Sequence, residues 1–127
     1  MAKGRDKHAA HVAAVAALGR TLSRRARNRC ELCETSTSLK VVEVEPTEED
    51  PTEERAVLIC ASCENALAGK TTDTNAFRFL EGVVWSETLP VQLCAVRLLR
   101  GFARDDVAWA RECLDGLFLD PEVENLV

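Results

Sequence analysis

The sequence predicts an α+β chain, mostly helical, in which a cysteine-rich segment with a β-hairpin sits between an N-terminal helix and a C-terminal helical region. Three observations carry this. A proline-free stretch rich in Ala, Leu and Arg precedes Cys30. Two C-x-x-C pairs, Cys30/Cys33 and Cys60/Cys63, enclose 26 residues that hold two short apolar runs. From Pro90 onward, apolar residues recur at helical spacing. With 127 residues and 46% apolar composition, the chain has the size and core material of one domain, 1–127. It divides into a basic N-terminal helix (1–29), a zinc-finger segment (30–70) and a C-terminal extended segment with helices (71–127).

The first helix is expected from about Asp6 to about Asn28, because Ala, Leu and Arg favour helix. Ala9, Val12, Ala13, Leu18 and Leu22 form its expected buried stripe. Gly19 is a weak point, about 1 kcal/mol worse than Ala in mid-helix. Leu39–Val44 has strand character. An acidic, Pro-containing loop follows; Glu43 to Glu54 holds seven carboxylates, without ligand-like spacing. Ala56–Ile59 reads as a second strand, and Glu64–Ala68 as a short helix ended by Gly69. Phe77–Trp85 alternates loosely and is read as extended, bent at Gly82. Pro90 suits a first helical turn; Val91, Cys94, Ala95, Leu98 and Phe102 follow on one face. Gly101 is expected to fray that helix. Asp105 or Asp106 is expected to cap a next one containing Val107, Ala110, Leu114 and Leu117. Asp120-Pro121-Glu122 reads as a cap and first turn.

Charge is unevenly placed. The net charge is −5, yet Met1–Cys30 carries eight basic residues against Asp6 alone. Arg24, Arg25, Arg27 and Arg29 crowd the helix end. There they complement the negative end of the helix dipole, and they are the candidate contacts to nucleic acid or an acidic protein. The longest apolar run, Ala9–Gly19, is interrupted by His11 and too short to span a bilayer. No small-residue cleavage pattern follows it. A cytoplasmic location without membrane association is the expectation, and in that compartment cysteines read as metal ligands or core thiols.

A C-x-x-C turn lets two thiolates converge on one ion. Two such turns supply Cys30, Cys33, Cys60 and Cys63, four soft ligands that match one tetrahedral, structural Zn²⁺ with no open position. Iron is the alternative metal for the same ligand set. Cys94 and Cys113, among apolar neighbours, read as core thiols. His8 and His11, at i and i+3, lack a carboxylate partner in sequence. Trp85 and Trp109 read as core or interface anchors.

A knuckle, a hairpin and a second knuckle at a helix start is the plan of a treble-clef-like zinc finger, and it resembles zinc-stapled HNH nucleases. Their first strand carries V-H-H-I-x-P and their second knuckle N-L-x-x-L-C-x-x-C-H. The matching stretches here are Val41-Val42-Glu43-Val44-Glu45-Pro46 and Arg55-Ala56-Val57-Leu58-Ile59-Cys60-Ala61-Ser62-Cys63-Glu64. Glu43, Arg55 and Glu64 replace the His, Asn and His of that pattern, which removes the imidazole that activates water. The resemblance implies a nuclease-like scaffold without nuclease activity.

Gly4-Arg5-Asp6-Lys7-His8, the run Arg24–Cys33, the second knuckle, Val84-Trp85-Ser86-Glu87 and Leu117-Phe118-Leu119-Asp120 together resemble the N-terminal zinc-binding region of PhnA-like proteins. These small bacterial proteins take their name from a phosphonate-utilisation operon. They usually continue into a small β-barrel-like domain with a segment like D-x-x-G-x-x-L-x-x-G-D, which residues 1–127 do not contain. The expected function is a non-enzymatic structural-zinc module that binds a protein or nucleic acid. The alternative is a divergent metal-dependent hydrolase, either an HNH-like nuclease using Glu43 and Glu64 or a phosphonate-related enzyme.

Overall fold

Helix α1 spans Ala2–Ala26 in the computed structural model, which describes residues 2–44, 52–71 and 73–126, with side chains from His8 onward. Most of the acidic loop, residues 45–51, lies outside the described residues. The end of α1 is built by two left-handed residues, Arg27 (φ 57°) and Asn28 (φ 59°). The Asn28 N–H reaches back to the Ser23 carbonyl at 2.9 Å. That wrap-around bond satisfies an orphan carbonyl and turns the chain toward Cys30.

Only two of the five residues expected on the buried stripe of α1 are buried. Leu18 and Leu22 are buried, but Ala9, Val12 and Ala13 are exposed, Val12 by 53%. The reason is length. Helix α1 is about 37 Å long at 1.5 Å per residue, whereas a five-residue strand covers about 17 Å. The helix overhangs what it packs on, and its first half rests on the helix propensity of its alanines.

Strands β1 (Leu39–Glu43) and β2 (Ala56–Cys60) form an antiparallel hairpin with Leu39 opposite Cys60, Val41 opposite Leu58 and Glu43 opposite Ala56. One face, with Val41, Ala56 and Leu58, meets Leu18 and Leu22 of α1. The other face, with Val42, Val57 and Ile59, enters the larger core. All five residues of β2 are buried. Burial on both faces explains why Ala56-Val57-Leu58-Ile59-Cys60 is an uninterrupted apolar run rather than an alternating one. Helix α2 (Ala61–Leu67) follows directly and ends at Gly69, whose φ of 77° suits glycine.

The stretch Phe77–Trp85, expected as extended, is helical instead. A 3₁₀ turn spans Thr74–Phe77 and a short helix α3 spans Leu80–Val83. Val83 and Val84 N–H groups bond the carbonyls of Phe79 and Leu80 at 3.1 and 3.0 Å. Phe77, Leu80 and Val84 are buried, at spacings of three and four, and this helical period outweighed the β-branched and aromatic composition.

Helix α4 (Leu89–Arg104) is the central element, with Pro90 in its first turn and nine buried residues. It runs through Gly101 to Arg104, so the expected fraying there does not occur. Helix α5 (Ala108–Asp115) returns along it. Its N-cap is Val107, not Asp105 or Asp106; the Asp106 carboxylate instead takes the Arg111 guanidinium. Phe102 joins the layers, with ring centroids 5.8 Å from Phe77 and 6.0 Å from Trp109. Helix α6 (Pro121–Glu124) starts at Asp120-Pro121 as read from the sequence.

At Gly19, a Cβ would stand 3.5 Å from Val41 Cγ2, an ordinary van der Waals contact. Gly19→Ala is expected to raise stability by about 0.5–1 kcal/mol, read as a higher urea midpoint. Gly19→Leu, which must displace Val41, is expected to lower it.

Candidate metal centre

Residues 30–35 close into a knuckle through backbone bonds. The Cys30 N–H donates to the Thr35 carbonyl at 2.7 Å, and the Glu34 N–H donates to the Cys30 carbonyl at 3.0 Å. Glu34 takes φ 67° to make the turn. Inside it, the Leu32 and Cys33 N–H groups both donate to Cys30 Sγ at 3.4 Å. The second pair is placed by the junction of β2 and α2. Cys60 ends the strand and is the N-cap of α2, and Cys63 lies in the first helical turn.

The hairpin register carries the two pairs together. The Sγ atoms of Cys30, Cys33, Cys60 and Cys63 all lie within 4.8 Å of one another. The Cys30–Cys63 and Cys33–Cys60 separations are 3.8 and 3.5 Å. These are far longer than the ~2.05 Å of a disulfide and close to the ~3.8 Å edge of a tetrahedron with 2.3 Å metal–sulfur bonds. All six cysteines are free thiols. Among the described residues this is the one group of three or more His, Cys, Asp or Glu that could hold a metal ion.

The electrostatics of the cluster fit a cation. The sulfur–sulfur hydrogen bond with Cys63, helped by backbone N–H groups, draws the Cys30 thiol down to about 4. The same bond, burial and the nearby Cys30 charge hold the Cys63 thiol well above the usual range. Burial, reinforced by the other sulfurs, pushes Cys33 up to about 11. Cys30 thus favours its negative charge, while Cys33 and Cys63 resist theirs. A divalent cation among them reverses that, because it favours the ionised form of every ligand. Cys30, Cys60 and Cys63 are buried and Cys33 is the half-exposed edge, bordering a pocket of about 340 Å³ that also touches Cys63.

An ion pair that sequence reasoning missed ties α1 to this knuckle. Arg25 Nε and Nη2 donate to the two Glu31 carboxylate oxygens at 2.9 and 2.8 Å. The same guanidinium reaches the Ala56 carbonyl at 2.9 Å and the Glu53 carbonyl at 2.6 Å. Glu31 Oε1 also accepts the Leu58 N–H at 2.9 Å, while the Glu31 N–H donates to the Leu58 carbonyl at 2.8 Å. Glu31 thus extends the hydrogen bonding of β2, and its side chain is only 7% exposed. Arg25 is therefore turned inward, away from the solvent-facing Arg24, Arg27 and Arg29.

The remaining candidates are dispersed. Cys94 is buried in the core, where desolvation pushes its thiol up to about 12; Cys113 is half-buried, and burial raises its thiol too. Glu43 stands 3.9 Å from His11 Nε2, and Glu64 pairs with Lys40 at 3.1 Å, so the two carboxylates of the nuclease alternative have separate partners. Trp109 packs on Phe102 beneath Arg78, whereas Trp85 is 54% exposed and is not a core anchor. Among the described residues, no helix is long and apolar enough to cross a membrane.

No protein-family model matches the chain, and no curated protein or solved structure proves similar to it.

Removing the Arg25 guanidinium would strand a nearly buried carboxylate. Arg25→Gln is expected to cost about 2–4 kcal/mol of unfolding free energy. Arg24→Gln, on the exposed side of the same helix end, is expected to stay within about 0.5 kcal/mol. Urea denaturation of the two variants checks the distinction.

Proposed function

We propose that Cys30, Cys33, Cys60 and Cys63 hold one structural Zn²⁺ per chain in a treble-clef-type finger, and that the chain is a non-enzymatic module of the PhnA-like type. The observation that carries the reading is the convergence of four unpaired thiols within 4.8 Å. Four thiolates fill a tetrahedral sphere and leave no position for water or substrate, which is the ligand pattern of a structural rather than a catalytic zinc. Zinc has no geometric preference from its d-electrons, so it tolerates the unequal sulfur–sulfur edges. The order of knuckle, hairpin and helix start supports the treble-clef plan. The PhnA-like assignment rests on the motif residues named above.

The partner surface in this reading is the end of α1. Arg24, Arg27 and Arg29 are exposed, and Arg27 and Arg29 line a shallow groove with Ser86 and Thr88. The knuckle fixes this patch in space. It suits an anionic macromolecule, either a nucleic acid or an acidic protein face.

Elemental analysis of protein purified without added metal is expected to find one zinc per chain; a red-brown protein with iron charge-transfer bands would replace zinc by iron. Cys60→Ser is expected to lose the metal and unfold the finger, whereas Cys94→Ser keeps the metal and loses only packing energy, about 1–2 kcal/mol. Equal metal loss from both variants would refute the ligand assignment.

Three phosphate contacts from Arg24, Arg27 and Arg29 predict a log K versus log salt slope of about −2.7 on duplex DNA. Changing all three to Gln is expected to flatten the slope while the metal stays bound. An absence of salt-sensitive binding to duplex or single strand at low ionic strength would leave the acidic-protein partner.

A further inference from the structure

A second basic surface lies on the far side of the hairpin from α1, and neither the metal centre nor the patch before it uses it. Helix α4 presents Arg97, Arg100 and Arg104 toward one cavity of about 580 Å³. At 100° per residue these three positions fall within a sector of about 60°, so they form one line of guanidinium groups along about two turns. Arg97 is anchored there by the Val44 carbonyl at 2.6 Å and the Leu126 carbonyl at 3.2 Å. The side chains of Arg100 and Arg104 make no hydrogen bond or ion pair among the described residues. Thr71, after α2, and Thr74, the first residue of the 3₁₀ turn, also line the cavity, each with a hydroxyl able to donate.

Two carboxylates also line the space, Glu43 and Asp105. Glu43 faces His11, and Asp105 is an exposed residue at the C-cap of α4. Neither pairs with Arg100 or Arg104. The volume lies within the range of small-molecule sites, about 300–1,000 Å³. Val42 and Leu67, both partly exposed, also line it and give a ligand body something to pack on, which a flat polyanion surface does not require.

We propose that this cavity binds a small organic anion, a phosphate monoester or a carboxylate, with its charged group forked by Arg100 and Arg104 and its apolar body against Val42 and Leu67. Planar guanidinium groups bind such oxyanions bidentately, and the threonine hydroxyls supply further donors. The site is independent of the metal reading, since no cysteine of the four-thiol cluster lines it. The competing explanation is that the arginines only offset the negative C-terminal end of α4. That role predicts an effect on stability and none on ligands.

The test is titration of the full chain with phenyl phosphate and, separately, with benzoate through the millimolar range, followed in amide ¹H–¹⁵N spectra. Saturable shifts are expected at Thr71, Thr74, Gly101 and Arg104. Saturation by one probe alone supports the site and selects its anion. Arg100→Gln and Arg104→Gln are each expected to weaken binding about tenfold, the loss of one charge-assisted contact. Arg104 is exposed, so its variant keeps the test open if Arg100→Gln disturbs folding. Arg20→Gln, on α1, is expected to change nothing. The proposal is overturned if neither probe shifts these signals, if benzyl alcohol binds as well as phenyl phosphate, or if Arg20→Gln weakens binding equally.

Discussion

Four cysteine sulfurs within 4.8 Å of one another set the terms for everything around them. The two pairs are separated by 26 residues, and closing such a loop costs about 3 kcal/mol of chain entropy before any constant. The hairpin register accomplishes the closure by setting Leu39 opposite Cys60. It places the second pair at the β2–α2 junction, level with the knuckle that precedes β1. A slip of one residue would move Val57 and Ile59 to the α1 face and carry Cys60 away from Cys33. The thiol cluster and the buried strand therefore specify the same register, and neither can shift alone.

The Arg25–Glu31 pair extends that constraint to α1. Glu31 lies between the two cysteines of the first pair, and its backbone and carboxylate both bond Leu58 of β2. Arg25 then ties the helix to Glu31, to the Glu53 carbonyl before β2 and to the Ala56 carbonyl at its start. Removing one partner from such a nearly buried pair costs more than the pair contributes when intact. This gives four neighbouring arginines different physical roles. One is a structural clamp, and three are solvent-facing charge held in a fixed arrangement by the clamp.

Helix α4 organises the opposite side. Its apolar residues fill the core between the hairpin and α5, while Arg97 crosses to the Val44 carbonyl at the end of β1. The arginine face is held open beside the hairpin because the same helix is fixed by nine buried side chains on its other faces. The two basic surfaces are thus separated by the body of the fold, one at the cysteine knuckle and one at the C-terminal half of α4.

Features written in local spacing were legible in the sequence. The C-x-x-C pairs, the two strands, the Gly69 helix stop and the Pro90 helix start depend on neighbours within a few residues, and the structure holds all of them. Phe77–Trp85 was misread because β-branched and aromatic residues suit strands, yet burial of Phe77, Leu80 and Val84 imposed a helical period. The exposure of Ala9, Val12 and Ala13 depends on how far the hairpin reaches beneath α1, a length that no helical pattern encodes. The clamp of Arg25 joins residues 28 and 31 positions apart, and the Arg97 bond spans 53. Which charges turn inward and which stay free is decided by such distant partners, because a guanidinium's role depends on the carbonyls and carboxylates that folding brings to it.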